Sequence, residues 1–307
     1  MVKNSKIIVA GGTGFIGANL ISELISNGNE VISISKSKDK TKRKVKNAKY
    51  LYHDLKQPIK KNLLEKFKDV EYIINCSGYI DHGNFRNNGK EVFDEHFKSI
   101  LSLTNLAIDL KVKTFIQIGS SDEYGKRKSP IKETFREEPV SPYALAKLSS
   151  THLLQQYFRQ GILNSVILRP FLVFGEMQSN NRFLPYLIDN CIKDKKFKVT
   201  KGEQIRDYLY IKDFNQALIK ALNNKKAYGE IINIASGVPI SIREVISTVS
   251  KVIGSGKPLW GGIDYRDGES MELYADINKA KIVLDWEPKC NFKESLNKVI
   301  NYYSNNG

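Results

Sequence analysis

Near its N-terminus the chain carries an apolar run, a cluster of glycines and then an amphipathic helical pattern. KIIVAGG (6–12) predicts a buried strand that ends in glycines, and FIGANLISELISNG (15–28) has apolar residues at helical spacing. Between them, Gly11, Gly14 and Gly17 follow a G-x-x-G-x-x-G spacing. Glycines permit a tight turn and let backbone N–H groups approach a pyrophosphate, which the N-terminus of the next helix also favours. The stretch therefore predicts a dinucleotide-binding strand–turn–helix.

Five further strand-like segments follow this loop, and helical patterns near 91–111 and 142–160 separate the later ones. The segments are EVISIS (30–35), KYLYHD (49–54), EYIINCS (71–77), KTFIQIGS (113–120) and NSVILRP (164–170). Strands that alternate with helices predict a doubly wound parallel sheet with helices on both faces. The expected fold class is therefore α/β.

The pattern changes after the sixth strand, where the loops lengthen and the order of elements becomes mixed. The strand-like segment EIINIAS (230–236) is a candidate to rejoin the main sheet. We expect a dinucleotide-binding domain at 1–170 with a return segment near 207–236. Residues 171–206 and 237–307 are expected to form a smaller substrate lobe, interleaved with the first domain.

Composition excludes several classes of protein. Of the 307 residues, 41% are hydrophobic and 26% charged, which is typical of a globular chain. No apolar run approaches the ~18 residues of a membrane span, and the N-terminus lacks the long apolar region of a signal peptide. The cysteines, Cys76, Cys191 and Cys290, have no disulfide or zinc-site spacing. These features predict a cytoplasmic protein without a metal or a membrane span.

The net charge of +15 raises nucleic acid and anionic small molecules as partners. Much of the excess lies in SKSKDKTKRKVKNAK (35–49), but lysine is abundant throughout the chain. We interpret most of these charges as a solvated, lysine-rich surface, so nucleic acid is not the expected partner. A dinucleotide- or RNA-binding protein without catalysis remains a remote alternative.

The end of the second strand bears on the choice of cofactor. An acidic residue there would normally bind the ribose 2′-hydroxyl of NAD, but this chain has Ser35, Lys36, Ser37 and Lys38. Hydroxyl and ammonium groups suit a 2′-phosphate, which favours NADP(H) and leaves NAD(H) possible through backbone contacts. After the third strand, Asp54 could meet the adenine amine, or it is an ordinary loop aspartate.

Motifs along nearly the whole chain resemble the extended short-chain dehydrogenase/reductases, and within them the nucleotide-sugar epimerases, dehydratases and reductases. The matching segments are GGTGFIG (11–17), GSSDEYG (119–125), YALAK (143–147), QIRDYLYIKD (204–213), INIASGVPISIREV (232–245) and RDGESMELYADINKAKIVLDWEP (266–288). The resemblance implies a Rossmann-type sheet and a nucleotide-diphosphate sugar as substrate. It also implies a homodimer formed through the Tyr143 helix and its neighbour at 91–111.

Tyr143 and Lys147 lie four residues apart, so on a helix they share one face. An ammonium beside a phenol favours the phenolate and lowers its pKa. By resemblance, Tyr143 is the acid/base for a sugar hydroxyl, Lys147 lowers the Tyr143 pKa and binds the nicotinamide ribose, and Ser121 binds the reacting oxygen. Such positioned proton transfer is worth roughly 10²–10⁴-fold in rate.

The chain departs from the family pattern in three places, the serine loop, His96 and Leu172. SSDEYG is one residue shorter than in most relatives, so Ser120 could replace Ser121 as the catalytic hydroxyl. Asp122 and Glu123 resemble the acid/base pair of sugar 4,6-dehydratases, although an exposed loop pair is an equal alternative. His96 and Leu172 stand where many relatives carry asparagines, Leu172 at a substrate-binding position.

The resemblance also assigns residues to the two ligands. Arg206 and Arg266 match positions that contact the substrate's diphosphate or nucleoside, and Arg182 is a further candidate because a guanidinium binds phosphate oxygens bidentately. The cofactor-binding residues implied are Gly11, Thr13, Gly14, Phe15, Ile16, Gly17, Ser35, Lys36, Ser37, Asp54, Leu55, Ser77, Gly78, Tyr143, Lys147 and Pro170.

Two enzymatic hypotheses follow from these observations, beside the remote alternative of a dinucleotide- or RNA-binding protein without catalysis. The main hypothesis is an NADPH-dependent reductase of a nucleotide-linked 4-keto-6-deoxy sugar, a step in the synthesis of deoxyhexoses for surface polysaccharide. The alternative is a nucleotide-sugar epimerase or 4,6-dehydratase that keeps its NAD(P) bound and recycles the hydride. Asp122 and Glu123 favour a dehydratase, whereas the shortened loop counts against it.

Overall fold

A computed structural model of the chain describes residues 2–36, 43–81, 83–266 and 268–306. Its strands are β1 (Lys6–Ala10), β2 (Glu30–Ser35), β3 (Lys49–Tyr52), β4 (Val70–Asn75), β5 (Thr114–Ile118), β6 (Ser165–Pro170), β7 (Leu172–Phe174), β8 (Lys196–Val199), β9 (Ile205–Tyr210), β10 (Ile231–Ile234), β11 (Pro239–Ser241), β12 (Lys257–Trp260) and β13 (Glu272–Leu273). Its helices are α1 (Phe15–Ser26), α2 (Gly89–Asp109), α3 (Pro142–Arg159), α4 (Phe183–Ile192), α5 (Ile211–Leu222), α6 (Ile242–Ile253), α7 (Asn278–Leu284) and α8 (Phe292–Asn306). Short 3₁₀ helices cover Lys61–Phe67, Ser121–Tyr124 and Lys225–Ala227.

The central sheet of the described residues has seven strands in the order β10-β6-β5-β4-β1-β2-β3, and every neighbouring pair is parallel. The order reverses between β1 and β4, because the chain runs outward through β2 and β3 before it returns. A crevice for a ligand opens at the carboxyl ends of the strands at such a reversal. The doubly wound sheet predicted from the sequence is confirmed, and the segment EIINIAS rejoins it as β10 beside β6.

Both faces of this sheet are covered, which explains why its strands are apolar without alternation. In β1, Ile7 and Val9 belong to one hydrophobic cluster and Ile8 and Ala10 to the other, because successive side chains point to opposite faces. Helices α1 and α5 complete the first cluster, and α2 and α3 complete the second. Helix α3, with the Tyr143-Lys147 pair, is thereby held against the sheet.

The later segments build a smaller set of strands around β9, which pairs with β7 and β13 in parallel and with β11 in antiparallel orientation. Strands β8 and β12 form a separate parallel pair. The buried carboxylate of Asp207 in β9 accepts hydrogen bonds from the backbone N–H groups of Ser236, Gly237 and Ala275. This carboxylate ties segments far apart in sequence to β9. The division into the two domains predicted above stays a prediction.

Within the described ranges, no helix is both long and apolar enough to cross a membrane. Over the same residues, no group of histidine, cysteine and acidic side chains is arranged to hold a metal ion.

Candidate active site

A cavity of about 280 Å³ lies at the carboxyl ends of β1, β2, β3 and β4, where the strand order reverses. Its lining comes from the glycine loop, from the ends of β2 and β3, from the segment after β4, and from one face each of α2 and α3. The lining residues are Gly11, Thr13, Gly14, Ile34, Ser35, Lys36, His53, Asp54, Leu55, Asn75, Cys76, Ser77, Gly78, Tyr79, Glu95, His96, Ser99, Gln117, Lys147 and Ser150. Ten of the predicted cofactor-binding residues are therefore together in one cavity.

The glycine loop needs glycine at two of its positions for steric reasons. Gly11 has φ +77°, and a Cβ there would lie 2.7 Å from the carbonyl oxygen of Cys76. A Cβ on Gly17 would lie 2.4 Å from the carbonyl oxygen of Gly11. Gly14 is the N-cap of α1, no side chain caps this helix, and its first turn has no acidic residue. The N–H groups of this turn are therefore suited to bind an anion such as a pyrophosphate.

At the end of β2, the side chains expected to bind a 2′-phosphate already interact with other groups of the protein. The Lys36 Nζ lies 3.0 Å from a carboxylate oxygen of Glu95 and 3.8 Å from one of Asp54. The Ser35 hydroxyl lies 3.0 Å from that of Ser33 and is buried. Ser37 and Lys38, part of the same prediction, lie outside the described residues.

Helix α3 places both members of the Tyr-x-x-x-Lys pair in the interior. Pro142 opens the helix, and the Ser141 hydroxyl caps it by accepting a hydrogen bond from Ala144 N at 3.1 Å. Tyr143 is 5% exposed and Lys147 6%. The Lys147 Nζ donates to the carbonyl oxygen of Ile118 at 2.8 Å, and burial lowers the pKa of this ammonium to about 8.

The protonation of Tyr143 differs from the sequence-based expectation. Burial raises the pKa of its phenol well above the ordinary value, and the nearby carboxylate of Asp122 raises it further. A side-chain hydrogen bond with Ser120 and the charge of Arg182 act in the opposite direction and lower this pKa. The expected lowering of the Tyr143 pKa by Lys147 is not found: the ammonium Nζ lies 5.8 Å from the ring centroid, and desolvation of the buried phenol is the largest influence on its pKa.

The serine loop presents Ser120, rather than Ser121, to Tyr143. Ser120 is the N-cap of the 3₁₀ helix that begins at Ser121, and its hydroxyl accepts a hydrogen bond from Asp122 N at 3.1 Å. The same hydroxyl is hydrogen-bonded to Tyr143. Ser121 is buried in the first position of the helix. The shortened loop therefore favours the alternative serine considered above.

Asp122 and Glu123 have different surroundings. Asp122 is partly exposed and lies near enough to Tyr143 to raise its pKa. Glu123 is fully buried, and Arg169 donates to its Oε2 from Nε at 3.0 Å and from Nη2 at 2.6 Å. It also accepts from Ser120 N and from the Thr151 hydroxyl, both at 2.8 Å. Its carboxylate joins the serine loop, α3 and β6, which is not the setting of a group that exchanges protons with a substrate.

His96 packs against the edge of the site. Its ring meets that of Tyr143 edge-on with centroids 5.2 Å apart, and its Nε2 is 2.9 Å from the carbonyl oxygen of Tyr79. A Cβ on Gly78 would lie 2.4 Å from the imidazole, so glycine is required there. Burial lowers the His96 pKa to about 4, and the charge of Lys147 adds to this effect. At neutral pH, His96 is therefore an uncharged support for Tyr143.

The comparisons with known proteins agree with this geometry. A model described as the NAD dependent epimerase/dehydratase family matches residues 7–235. The chain belongs to this family. This confirms the resemblance inferred from the motifs, and the chain is therefore an enzyme of the epimerase/dehydratase type.

Family relatives match along nearly the full chain. A putative UDP-glucose 4-epimerase of Methanocaldococcus jannaschii is 30% identical over 313 residues, which cover 98% of this chain and 99% of the relative. The solved UDP-glucuronic acid 4-epimerase of Bacillus cereus, in complex with UDP-glucuronic acid and NAD, is 26% identical with a TM-score of 0.89 and covers 98% and 100% of the two chains. The UDP-glucose 4-epimerase of Thermotoga maritima with UDP-glucose, 24% identical, has a TM-score of 0.90 and covers 98% and 99%.

In this epimerase/dehydratase, the three predicted substrate arginines have different environments. Arg182 is exposed at the start of α4, and its charge reaches Tyr143. Arg206 is 9% exposed, and its Nη2 pairs with Glu269. Arg266 is exposed on the loop before β13. The charge of Arg182 thus acts on Tyr143, and Arg206 is held in a partly buried ion pair.

Several residues near the site differ from the sequence-based list. Phe15, Ile16, Gly17, Tyr143 and Pro170 do not belong to the cavity lining, although Tyr143 lies on α3, which contributes Lys147 and Ser150 to it. Some lining residues were not predicted from the sequence; they come from the end of β4 and the segment after it, from β5 and from α2: Asn75, Cys76, Tyr79, Glu95, Ser99 and Gln117. Glu95 and Ser99 are one turn apart, which is a signal that the helical pattern at 91–111 already contained.

Proposed function

We propose that this enzyme is an NAD-dependent 4-epimerase of a UDP-linked sugar. The single observation that carries the proposal is the buried Ser120-Tyr143-Lys147 arrangement beside a dinucleotide cavity. The relatives named as UDP-glucose and UDP-glucuronic acid 4-epimerases support the substrate class. They favour the epimerase over the NADPH-dependent reductase that the sequence analysis placed first.

The residues of the cavity fit a dinucleotide. The N–H groups at the start of α1 suit the pyrophosphate, and Gly11 and Gly17 leave room for close backbone approach. Asp54 and Lys147 both line the cavity, which supports their assignment to the adenine amine and the nicotinamide ribose. When bound, NAD would accept a hydride from the sugar C4 and return it to the opposite face of the C4 carbonyl. The positive charge of its nicotinamide ring would favour the Tyr143 phenolate.

The protein side of the reaction is proton transfer. Tyr143 takes the proton of the C4 hydroxyl as C4 is oxidised to a carbonyl, and it gives the proton back when the carbonyl is reduced. Ser120 donates a hydrogen bond to the same oxygen, which stabilises charge that develops there. Lys147 and His96 fix the position of Tyr143 from the cofactor side.

We assign the diphosphate of the substrate to Arg206 and Arg266, with Arg182 nearer to the sugar. Arg206 lies in β9, Arg266 lies on the loop before the neighbouring strand β13, and Arg182 is close enough to Tyr143 to lower its pKa. A guanidinium binds phosphate or carboxylate oxygens bidentately. Dimerisation through α2 and α3 and a cytoplasmic location stay predictions.

The experiment identifies the nucleotide released from freshly purified protein by mass spectrometry, then assays UDP-glucose and UDP-glucuronic acid for conversion to their C4 epimers. Bound NAD(H) with epimerisation that needs no added reductant supports the proposal. An empty protein that consumes NADPH with a 4-keto sugar nucleotide, and epimerises neither substrate, would overturn it in favour of the reductase.

A further inference from the structure

We propose that Glu95, on helix α2, makes this enzyme select NAD(H) over NADP(H). The inference rests on the proposed NAD-dependent function and names a residue that neither the glycine motif nor the end of β2 contains. Three observations support it: the sequence at the end of β2, the partners of Lys36, and the position of Glu95 in the cavity.

The end of β2 lacks the acidic residue that would bind a ribose 2′-hydroxyl. Ser35 ends the strand with its hydroxyl against Ser33, and Lys36 follows with an ammonium that would suit a 2′-phosphate. Taken alone, these two residues favour NADP(H).

The charge of Lys36 is already matched within the cavity. Its Nζ is hydrogen-bonded to Glu95 at 3.0 Å and lies 3.8 Å from Asp54, and these carboxylates raise the Lys36 pKa. The three side chains, all of which line the cavity, carry one positive and two negative charges. From these three side chains, a 2′-phosphate would meet a net negative charge, and it would have to compete with Glu95 for the ammonium.

Helix α2 presents Glu95 to the cavity by its geometry. Glu95 and Ser99 are one helical turn apart, and both line the cavity. The Glu95 side chain is 21% exposed, whereas that of Lys36 is 55% exposed. The Glu95 carboxylate is therefore held close to the protein surface inside the cavity. It can accept a hydrogen bond from a ribose hydroxyl, the role that an acidic residue at the end of β2 would otherwise have.

The test is a binding titration with NADH and NADPH on protein from which bound nucleotide has been removed. We expect wild type to bind NADH at least about tenfold more tightly than NADPH. In Glu95→Gln the affinity for NADPH should rise roughly tenfold, because Lys36 is released and a like charge is removed. NADH affinity should change by less than about threefold, since the amide still bonds a hydroxyl.

Two further variants separate this inference from a general effect of charge. Glu91→Gln removes the same charge one turn earlier, at an exposed position outside the cavity lining, and should leave the NADH-to-NADPH ratio as in wild type. In Glu95→Gln combined with Lys36→Gln, the gain in NADPH affinity should disappear. The proposal is overturned if wild type prefers NADPH, or if the ratio in Glu95→Gln stays within twofold of wild type.

These titrations involve no sugar nucleotide, so they fail or succeed independently of the proposed epimerisation. A shifted ratio in a protein that epimerises neither UDP sugar would leave the role of Glu95 standing and remove the substrate assignment. An active epimerase with an unshifted ratio would do the reverse.

Discussion

Two arginine–glutamate pairs flank the active site, and they differ in burial. Arg169 and Glu123 are both fully buried behind the serine loop, and the Arg169 guanidinium also lies 4.4 Å from the centroid of the Tyr124 ring. Arg206 and Glu269, at the predicted diphosphate site, retain 11% and 20% side-chain exposure. The Glu123 carboxylate raises the pKa of Arg169 above its ordinary value, although burial acts against it. Burial lowers the pKa of Arg206.

This difference in burial suggests two roles: the Arg169-Glu123 pair supports the fold, whereas in the Arg206-Glu269 pair we expect a substrate to take the place of the glutamate. Breaking the Arg169-Glu123 pair would leave a charge without solvent, and Arg169 Nη1 is already a buried donor without a partner among the described residues. Under the proposed function, Glu269, which is partly exposed, would turn toward water and a substrate phosphate would take its place beside Arg206. We therefore expect the Arg169-Glu123 pair to stay closed and the Arg206-Glu269 pair to open when a substrate binds.

Tyr143→Phe tests the catalytic side most directly and should have the largest effect. We expect kcat to fall by roughly 10²–10⁴-fold, because the proton-transfer group is lost. Cofactor binding should be nearly unchanged, as measured by titration with NADH. Tyr157→Phe, at the far end of the same helix, is the matched control and should keep wild-type kcat. Normal turnover by Tyr143→Phe would contradict the assignment.

Glu123→Gln measures how much the buried pair contributes to the fold. Loss of this charge should lower the free energy of unfolding by about 3–5 kcal/mol, since Arg169 is left buried and charged. Urea denaturation followed by circular dichroism gives the value. Glu137→Gln removes the other, less buried partner of Arg169 and should cost less. Equal losses in the two variants would show that burial is not what distinguishes Glu123.

Lys147→Met tests the buried lysine beside Tyr143 through the pH dependence of the free energy of unfolding. The Lys147 pKa is about 8 in the fold and 10.5 ordinarily, so between these values the unfolded chain holds a proton that the folded chain has released. The free energy of unfolding of wild type should therefore rise relative to the variant as pH increases from 8 to 10.5, by roughly 3 kcal/mol.

Urea denaturation at several pH values checks the direction of this change. Lys113→Met is the control, because a hydrogen bond to Glu71 raises the Lys113 pKa above 10.5, so the contribution of this exposed lysine stays constant up to about pH 10.5 and falls only above it. A wild-type advantage over Lys147→Met that falls with rising pH would contradict the buried, destabilised ammonium.

Arg206→Ala addresses the substrate side. Loss of the guanidinium should raise KM for a UDP sugar by roughly 10–100-fold, the value of a hydrogen bond to a charged group, with a smaller change in kcat. Steady-state kinetics measure this split. If kcat fell and KM stayed constant, Arg206 would act on the reacting sugar rather than on the diphosphate.

Glu269→Gln should have the smallest effect, and in the opposite direction. It removes the carboxylate that competes with the substrate for Arg206, so KM should fall a few-fold, and stability should change by about 1 kcal/mol or less. A rise in KM would mean that Glu269 itself binds the substrate. A large loss of stability would remove the contrast with Glu123.

The local signals in the sequence were sufficient for the fold and for part of the site. Gly11, Gly14 and Gly17 predicted the strand–turn–helix because only glycine tolerates the contacts found at Gly11 and Gly17. The helical spacing of Tyr143 and Lys147 predicted their shared face. The choice between Ser120 and Ser121 stayed open, because a one-residue change in a loop changes which hydroxyl meets Tyr143.

By itself, the sequence determined the alternation of strands and helices, the anion-binding loop and the family, since each depends on residues close together in the chain. The tertiary structure decided the charge states and the partners. It buried Tyr143 and Lys147, so desolvation rather than their mutual attraction governs their pKa values. It brought Glu95 to Lys36 across 59 positions, and Arg169 to Glu123 across 46. Such pairings depend on how helices pack against the sheet, which no local pattern records.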